Sequence, residues 1–155
     1  MPDILPLRNV RDAEIDYFGD NHVATIVIDS DRHANMTPSD INLDQALRGL
    51  LTSQMTLLWI HSYHHSAAGV TNTITFGYDL EIGEQRIGHA ALTTQATMAG
   101  EIYREGNSWI IDDNSGAWGD MGTRRRASAA LINVALLMNQ YCGIHVRATS
   151  TPFTR

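Results

Sequence analysis

The chain has 155 residues, of which 43% are hydrophobic and 18% are charged. This is enough apolar material for a core, so we expect residues 1–155 to form a single globular domain rather than a disordered chain. The 17 acidic residues outnumber the 11 basic ones, which gives a net charge of -6. This balance argues against an extended nucleic-acid-binding surface.

The cysteine content and the hydropathy of the chain limit the kinds of site it can form and the cellular compartment in which we expect it. Cys142 is the only cysteine, so an internal disulfide and a cysteine-rich zinc site are excluded. No apolar run approaches the ~20 residues that span a bilayer, and residues 1–10 do not resemble a secretory leader. We expect a soluble protein of a reducing compartment. All 11 basic residues are arginine, which fits either a GC-rich genome or avoidance of lysine modification.

The first half of the chain predicts one strand and one long helix. Residues 1–22 lack periodicity and are expected to form an irregular arm or a short strand. Residues 22–28 are β-branched and predict a buried strand, and residues 29–38 predict a polar loop. Ser39 is a good N-cap, and the leucines that follow it at helical spacing predict a helix over residues 39–66.

The second half predicts several strands, a second long helix and a last strand. Its expected elements are strands over 71–80 and 86–94, a hairpin of 98–104 with 108–112, a helix from Thr123 to Tyr141, and a strand over 144–149. The predicted fold class is therefore α+β, with two long helices packed on a mainly antiparallel sheet.

A glycine-spaced loop precedes the second helix and is the first candidate site. Its glycines allow backbone N–H groups to approach a ligand, and a helix N-terminus favours anions. Arginines in the first helical turn oppose the helix dipole unless an anion compensates them. The alternative is that nearby aspartates neutralise these arginines and the glycines only shape a turn. The candidate residues for a phosphorylated ligand are Ser115, Gly116, Trp118, Gly119, Gly122, Arg124 and Arg125.

A histidine cluster near the end of the first predicted helix is the second candidate. His61, His64 and His65 have spacings of three and four, which on a helix bring imidazoles to one face, as a metal site requires. The alternative is that these histidines are structural or exposed. A third ligand would come through the fold from His33, His89, Asp29 or Asp79.

His89 and Glu101 are the third candidate, as a general acid-base pair. They lie on two predicted strands joined by a short turn, so strand pairing is expected to bring an imidazole and a carboxylate together. The alternative is that Glu101 is a solvated strand carboxylate and His89 an ordinary core or edge residue.

The stretch from Gly88 to Gly116 resembles a pattern of C-terminal domains of bacterial polymorphic toxins and effectors. The pattern has Gly-His, then Ala-Gly-Glu, a hairpin, and Ser-Gly before a helix, and it covers less than a fifth of the chain. The chain departs from it after Ser-Gly, where Ala117 and Trp118 replace the usual aromatic, basic residue and proline. The resemblance implies a bacterial effector that works in the cytoplasm or is delivered into a host or target cell.

Together these features predict a toxin-like enzyme that binds NAD and transfers or cleaves its ADP-ribose. Glu101 and His89 are its expected catalytic residues, and the glycine-arginine loop is expected to hold the diphosphate. The alternatives are a non-catalytic adaptor or immunity-like domain with a protein partner, and a metal-dependent hydrolase that uses the histidine cluster. The oligomeric state stays open, since Trp59, Trp109 and Trp118 suit a core or an interface.

Overall fold

The computed structural model describes residues 19–82, 85–88, 92, 96–113 and 124–149, with the backbone alone at 82, 85–87 and 124–128. The predicted N-terminal arm and the Thr123 cap lie outside these ranges, apart from residues 19–22. In the ranges that are described, no helix has the length and apolar character needed to cross a membrane.

The described residues form two helices and nine strands. The helices are α1, Leu43–Thr52, and α2, Arg124–Tyr141. The strands are β1 His22–Ile28, β2 Ala34–Thr37, β3 Leu57–Ser66, β4 Gly69–Tyr78, β5 Leu80–Ile82, β6 Gln85–Ile87, β7 Met98–Glu105, β8 Ser108–Ile111 and β9 Val146–Ala148.

Seven of these strands form one sheet in the order β2-β1-β4-β3-β7-β8-β9. All neighbours in it are antiparallel except β8 and β9, which run parallel. Strands β5 and β6 pair with each other in a separate two-stranded sheet. A mainly antiparallel sheet combined with helices agrees with the predicted α+β class.

The alternation of side chains along β3 separates two cores. Leu57 and Trp59 belong to the larger core, whereas Leu58 and Ile60 belong to the smaller one. Because successive side chains point to opposite faces of a sheet, we name the face of Trp59 the helix face and that of Leu58 the opposite face. Both helices contribute to the larger core, with Leu43 and Leu47 from α1 and Ala130, Leu131, Val134, Ala135 and Met138 from α2.

The smaller core covers part of the opposite face. Leu92 and Ala96, from the segment between β6 and β7, pack there with Leu58, Ile60 and Ala99. Leu92 and Ala96 therefore lie on the side of the sheet away from the helices.

The prediction of a helix over residues 39–66 is wrong beyond its first half. Helix α1 begins at its N-cap Asn42, not at Ser39, and ends at residue 52. Gln54 adopts a left-handed φ of 61°, and the Met55 N–H donates to the Leu50 carbonyl oxygen, as in a helix cap that glycine usually provides. The apolar run that follows is the central strand β3, which is buried on both faces and so lacks the alternation of a half-buried strand.

One further prediction is wrong, because the predicted loop over 29–38 contains the edge strand β2. Of the predicted strand over 86–94, residues 86 and 87 belong to β6 and Leu92 lies in a turn, while residues 89–91, 93 and 94 lie outside the described residues. By contrast, β1, the β7–β8 hairpin, α2 and β9 lie where the sequence predicts them.

Candidate functional site

The carboxyl end of β8 is tied to β7 through Asp112 and Glu101. The Asp112 N–H donates to the Glu101 carbonyl oxygen over 3.1 Å, and Asp112 Oδ1 accepts from the Glu101 N–H over 2.9 Å. A side-chain oxygen thus occupies the ladder position that a carbonyl holds in a regular antiparallel pair. The Asp112 carbonyl instead accepts from Trp59 Nε1 over 3.0 Å, so the chain leaves the sheet at Asp112.

This departure from the sheet requires glycine at position 100. The Asp112 carbonyl group packs directly over the Gly100 Cα, where any Cβ would overlap it. Trp59 Nε1 also donates to the Glu101 carbonyl oxygen over 3.1 Å. Gly100 and the Trp59 indole together fix the backbone on both sides of Glu101.

The Glu101 side chain lies on the opposite face, two residues along β7 from Ala99 of the smaller core. It is half-buried. On the same face, burial raises the pKa of Tyr103, and the negative charges of Asp112, Glu105 and Glu101 raise it further. Three carboxylates therefore act on this part of the surface.

Helix α2 connects the two parallel strands β8 and β9. In such a β-α-β unit, the connection from the carboxyl end of the strand to the helix N-terminus is a common place for anions to bind. The first turn of α2 contains no acidic residue. The predicted ligand residues Ser115, Gly116, Trp118, Gly119 and Gly122 belong to this connection and lie outside the described residues, while Arg124 and Arg125 begin α2.

The predicted pairing of the strands that carry His89 and Glu101 is wrong. Strand β6 pairs with β5, and β7 pairs with β3 and β8, since the buried strand β3 takes the position beside β7. His89 itself lies outside the described residues, so its role as a partner of Glu101 stays a prediction.

The helical face proposed for the three histidines does not exist, because His61, His64 and His65 all lie in strand β3. His61 is buried, whereas His64 and His65 are exposed near the end of the strand. Within the described ranges, no three histidine, cysteine, aspartate or glutamate side chains come together as metal ligands would.

His61 is instead a hydrogen-bonded core residue. Its Nε2 lies 2.8 Å from Asn72 Oδ1, and its Nδ1 lies 2.7 Å from Thr97 Oγ1. Burial lowers the pKa of His61 to about 4, and the contact with Asn72 opposes this only in part. The imidazole is therefore neutral near pH 7 and donates through only one of its two nitrogens. The Thr97 hydroxyl donates to the His61 carbonyl oxygen over 2.8 Å.

Two of the three tryptophans belong to the core. Trp59 and Trp109 are fully buried, and Trp109 Nε1 donates to Asp44 Oδ1 of α1 over 2.8 Å. The Arg104 guanidinium lies 5.3 Å from the centre of the Trp109 ring. These contacts give both side chains a structural role, and Trp118 lies outside the described residues.

The sequence did not predict a cleft of about 570 Å³ on the helix face. It lies between the turn that follows β1, the beginning of β4 and the C-terminal half of α2. Asn72, the partner of His61, is one of its lining residues. The β3–β4 hairpin brings these two residues together. The sequence signal at its turn is Gly69, which has a positive φ of 118°.

Comparisons with protein-family models, with curated proteins and with solved structures gave no match to this chain.

Proposed function

We propose that this chain is a toxin-like or effector enzyme that binds a phosphorylated nucleotide, with NAD as the preferred candidate. The observation that carries the proposal is the hydrogen bonding of Glu101 to Asp112, the first residue after β8, which leads into the glycine-rich connection to α2. The candidate catalytic carboxylate on β7 and the start of the candidate anion-binding loop after β8 thus lie at the same end of the β7–β8 hairpin.

The described part of the proposed site is its carboxylate half. Glu101 is half-buried, and the charges of Glu101 and Asp112 both act on Tyr103. Such a surface stabilises a ribosyl group that becomes cationic as nicotinamide leaves. In that step the bond from the anomeric carbon to the nicotinamide nitrogen breaks with both electrons on nicotinamide. Water or an acceptor then forms the new bond and gives up its proton.

The proposed phosphate half is the connection over residues 114–123 with the first turn of α2. Its glycines and the helix N-terminus suit a diphosphate, and Arg124 and Arg125 supply the positive charge. His89 is proposed to bind a ribose hydroxyl, and Trp118 to stack on a ring.

The experiment is a comparison of NAD binding and consumption between the wild type and two carboxamide variants. NAD should raise the thermal midpoint, by about 2.7 kcal/mol of stability at one hundred times its dissociation constant. Glu101→Gln should lower turnover by about 100-fold or more at an unchanged melting temperature. Glu105→Gln is the matched control, because Glu105 lies at the turn end of the same strand with a 70% exposed side chain.

The outcomes separate the two leading functions. Full turnover in Glu101→Gln would remove the role given to Glu101. If NAD, ADP-ribose, ATP, cyclic nucleotides and phosphate all leave the midpoint unchanged, the chain is a non-catalytic interaction domain. That alternative is favoured by Ile132 and Leu136, which lie one turn apart on α2 with 55% and 60% exposure.

A further inference from the structure

The cleft on the helix face has the size and lining of a small-molecule site. Its volume of about 570 Å³ lies within the range of pockets that hold drug-sized ligands. Its apolar wall comes from the sheet and from α2, and polar groups lie at its rim and in its depth. The lining includes Ile28, Arg32, Asn72, Leu136, Leu137 and Tyr141.

Arg32 gives this cleft a positive charge that no described carboxylate neutralises. No aspartate or glutamate in the described ranges lies within 4.0 Å of its guanidinium. The carboxylate of Asp29 is held within the turn, where its Oδ1 accepts from the N–H groups of Asp31 and His33, each over 2.9 Å. Asp29 also lines the cleft, but its Oδ1 is held by the turn, so Arg32, exposed at the rim, is the lining group that can pair with an anion.

The turn holds the Arg32 backbone in one conformation. The Arg32 N–H donates to the Asp29 carbonyl oxygen over 3.0 Å, and its φ is 63°. Asparagine and glycine adopt this left-handed region more easily than arginine does. The left-handed backbone therefore fixes the point at which the Arg32 side chain leaves the turn.

Asn72 supplies a polar group inside the cleft. It is 8% exposed, and one end of its amide is bonded to His61. No other hydrogen bond of the Asn72 side chain occurs within the described ranges. The His61–Thr97 contact behind it holds the amide in place, so its remaining end is left for a ligand.

We infer that this cleft binds a small organic anion with an apolar body. The acidic group pairs with Arg32, a polar atom of the body bonds to Asn72, and the body packs against Leu136 and Leu137. The cleft lies along the C-terminal half of α2, whereas the proposed nucleotide site lies at its N-terminus. The inference therefore does not rest on the proposed function.

The test uses two fluorescent probes with the same aromatic body. One is 8-anilinonaphthalene-1-sulfonate, which carries one negative charge, and the other is the neutral N-phenyl-1-naphthylamine. Both are titrated into the native full-length chain at low salt, where a charge pair is little screened. The sulfonate probe should bind saturably at one site per chain and more tightly than the neutral probe.

Two variants and one control assign the binding to the cleft. Arg32→Asn keeps a residue suited to the left-handed φ and should weaken the sulfonate probe by about tenfold, with little effect on the neutral probe. Leu136→Gln changes an exposed helix residue and should weaken both probes. Arg147→Gln is the matched control, because Arg147 is an exposed arginine on β9, and it should change neither affinity.

Equal binding of the sulfonate probe by the wild type and Arg32→Asn would overturn the inference, as would the absence of saturable binding. Light scattering over a range of protein concentrations checks the remaining case. If the chain dimerises and Leu136→Gln abolishes the dimer, a second copy covers the cleft and the small-anion inference is wrong.

Discussion

Lowering the pH should destabilise the fold through the buried imidazole of His61. Its pKa is about 4 in the folded chain and about 6.5 in an unfolded one. Below pH 6.5 the unfolded chain therefore binds a proton that the folded chain does not, so the free energy of unfolding falls as the pH falls. At about 1.4 kcal/mol per pKa unit, the loss approaches about 3 kcal/mol by pH 4.

The assay is urea unfolding followed by tryptophan fluorescence at several values from pH 7 to pH 4, in the wild type and in His61→Gln. The carboxylates titrate in both proteins, so their contributions cancel in the difference between the two stability curves. The contribution of His22, whose pKa is also lowered by burial, cancels in the same way. His64→Gln is the matched control, since His64 is exposed on the same strand. The wild type and the control should lose about 3 kcal/mol more than His61→Gln.

An NMR titration of the His61 ring in the wild type tests the same reasoning without a variant that has to fold. The ring should stay neutral down to about pH 4. A midpoint near 6.5, or parallel stability curves for the wild type and His61→Gln, would refute the assignment of His61 as a desolvated core residue.

Three substitutions that add or remove glycine test the packing beside the proposed site and within α1 and its C-terminal cap. Gly100→Ala should destabilise the chain by about 3 kcal/mol, because the added Cβ would overlap the Asp112 carbonyl group. Gly49→Ala, with open space around it in α1, should instead stabilise the chain by up to about 1 kcal/mol. Equal effects of the two substitutions in chemical denaturation would contradict the close approach at Gly100. Gln54→Gly should stabilise by about 0.5–1 kcal/mol by relieving the left-handed φ of 61°, and a loss of stability in the same assay would contradict that account of the helix end.

The strand and helix predictions that succeeded rest on local signals. Helix α2 carries an apolar stripe and is followed by Gly143 with a positive φ of 71°, and the β7–β8 hairpin turns at Gly106, whose φ is 61°. Helix α1 ends without glycine at Gln54, and the strand after it is buried on both faces. At that point the local pattern fits a helix and a strand equally well, and only the tertiary structure decides between them.

In the candidate site, too, the part that depends on local signals could be predicted from the sequence better than the part that depends on tertiary structure. A hairpin that turns at Gly106 pairs Glu105 with Ser108, and counting back along both strands brings Glu101 opposite Asp112. The predicted turn of residues 105–107 would instead pair Arg104 with Ser108 and place Glu101 opposite Ile111. The sequence thus brought Glu101 to the correct end of the hairpin but missed the register by one residue. On its other side β7 pairs with β3. The sequence pattern predicts a helix for the residues of β3, so this pairing could not be predicted.

The cleft depends wholly on contacts between distant parts of the chain. Arg32, Asn72 and Leu136 come from a turn, a strand and a helix, and their side chains share a wall only because α2 crosses the sheet beside β1 and β4. No spacing in the sequence relates them. The two proposed sites lie at opposite ends of α2, so a ligand in the cleft and a nucleotide at the N-terminus would both restrict the same helix.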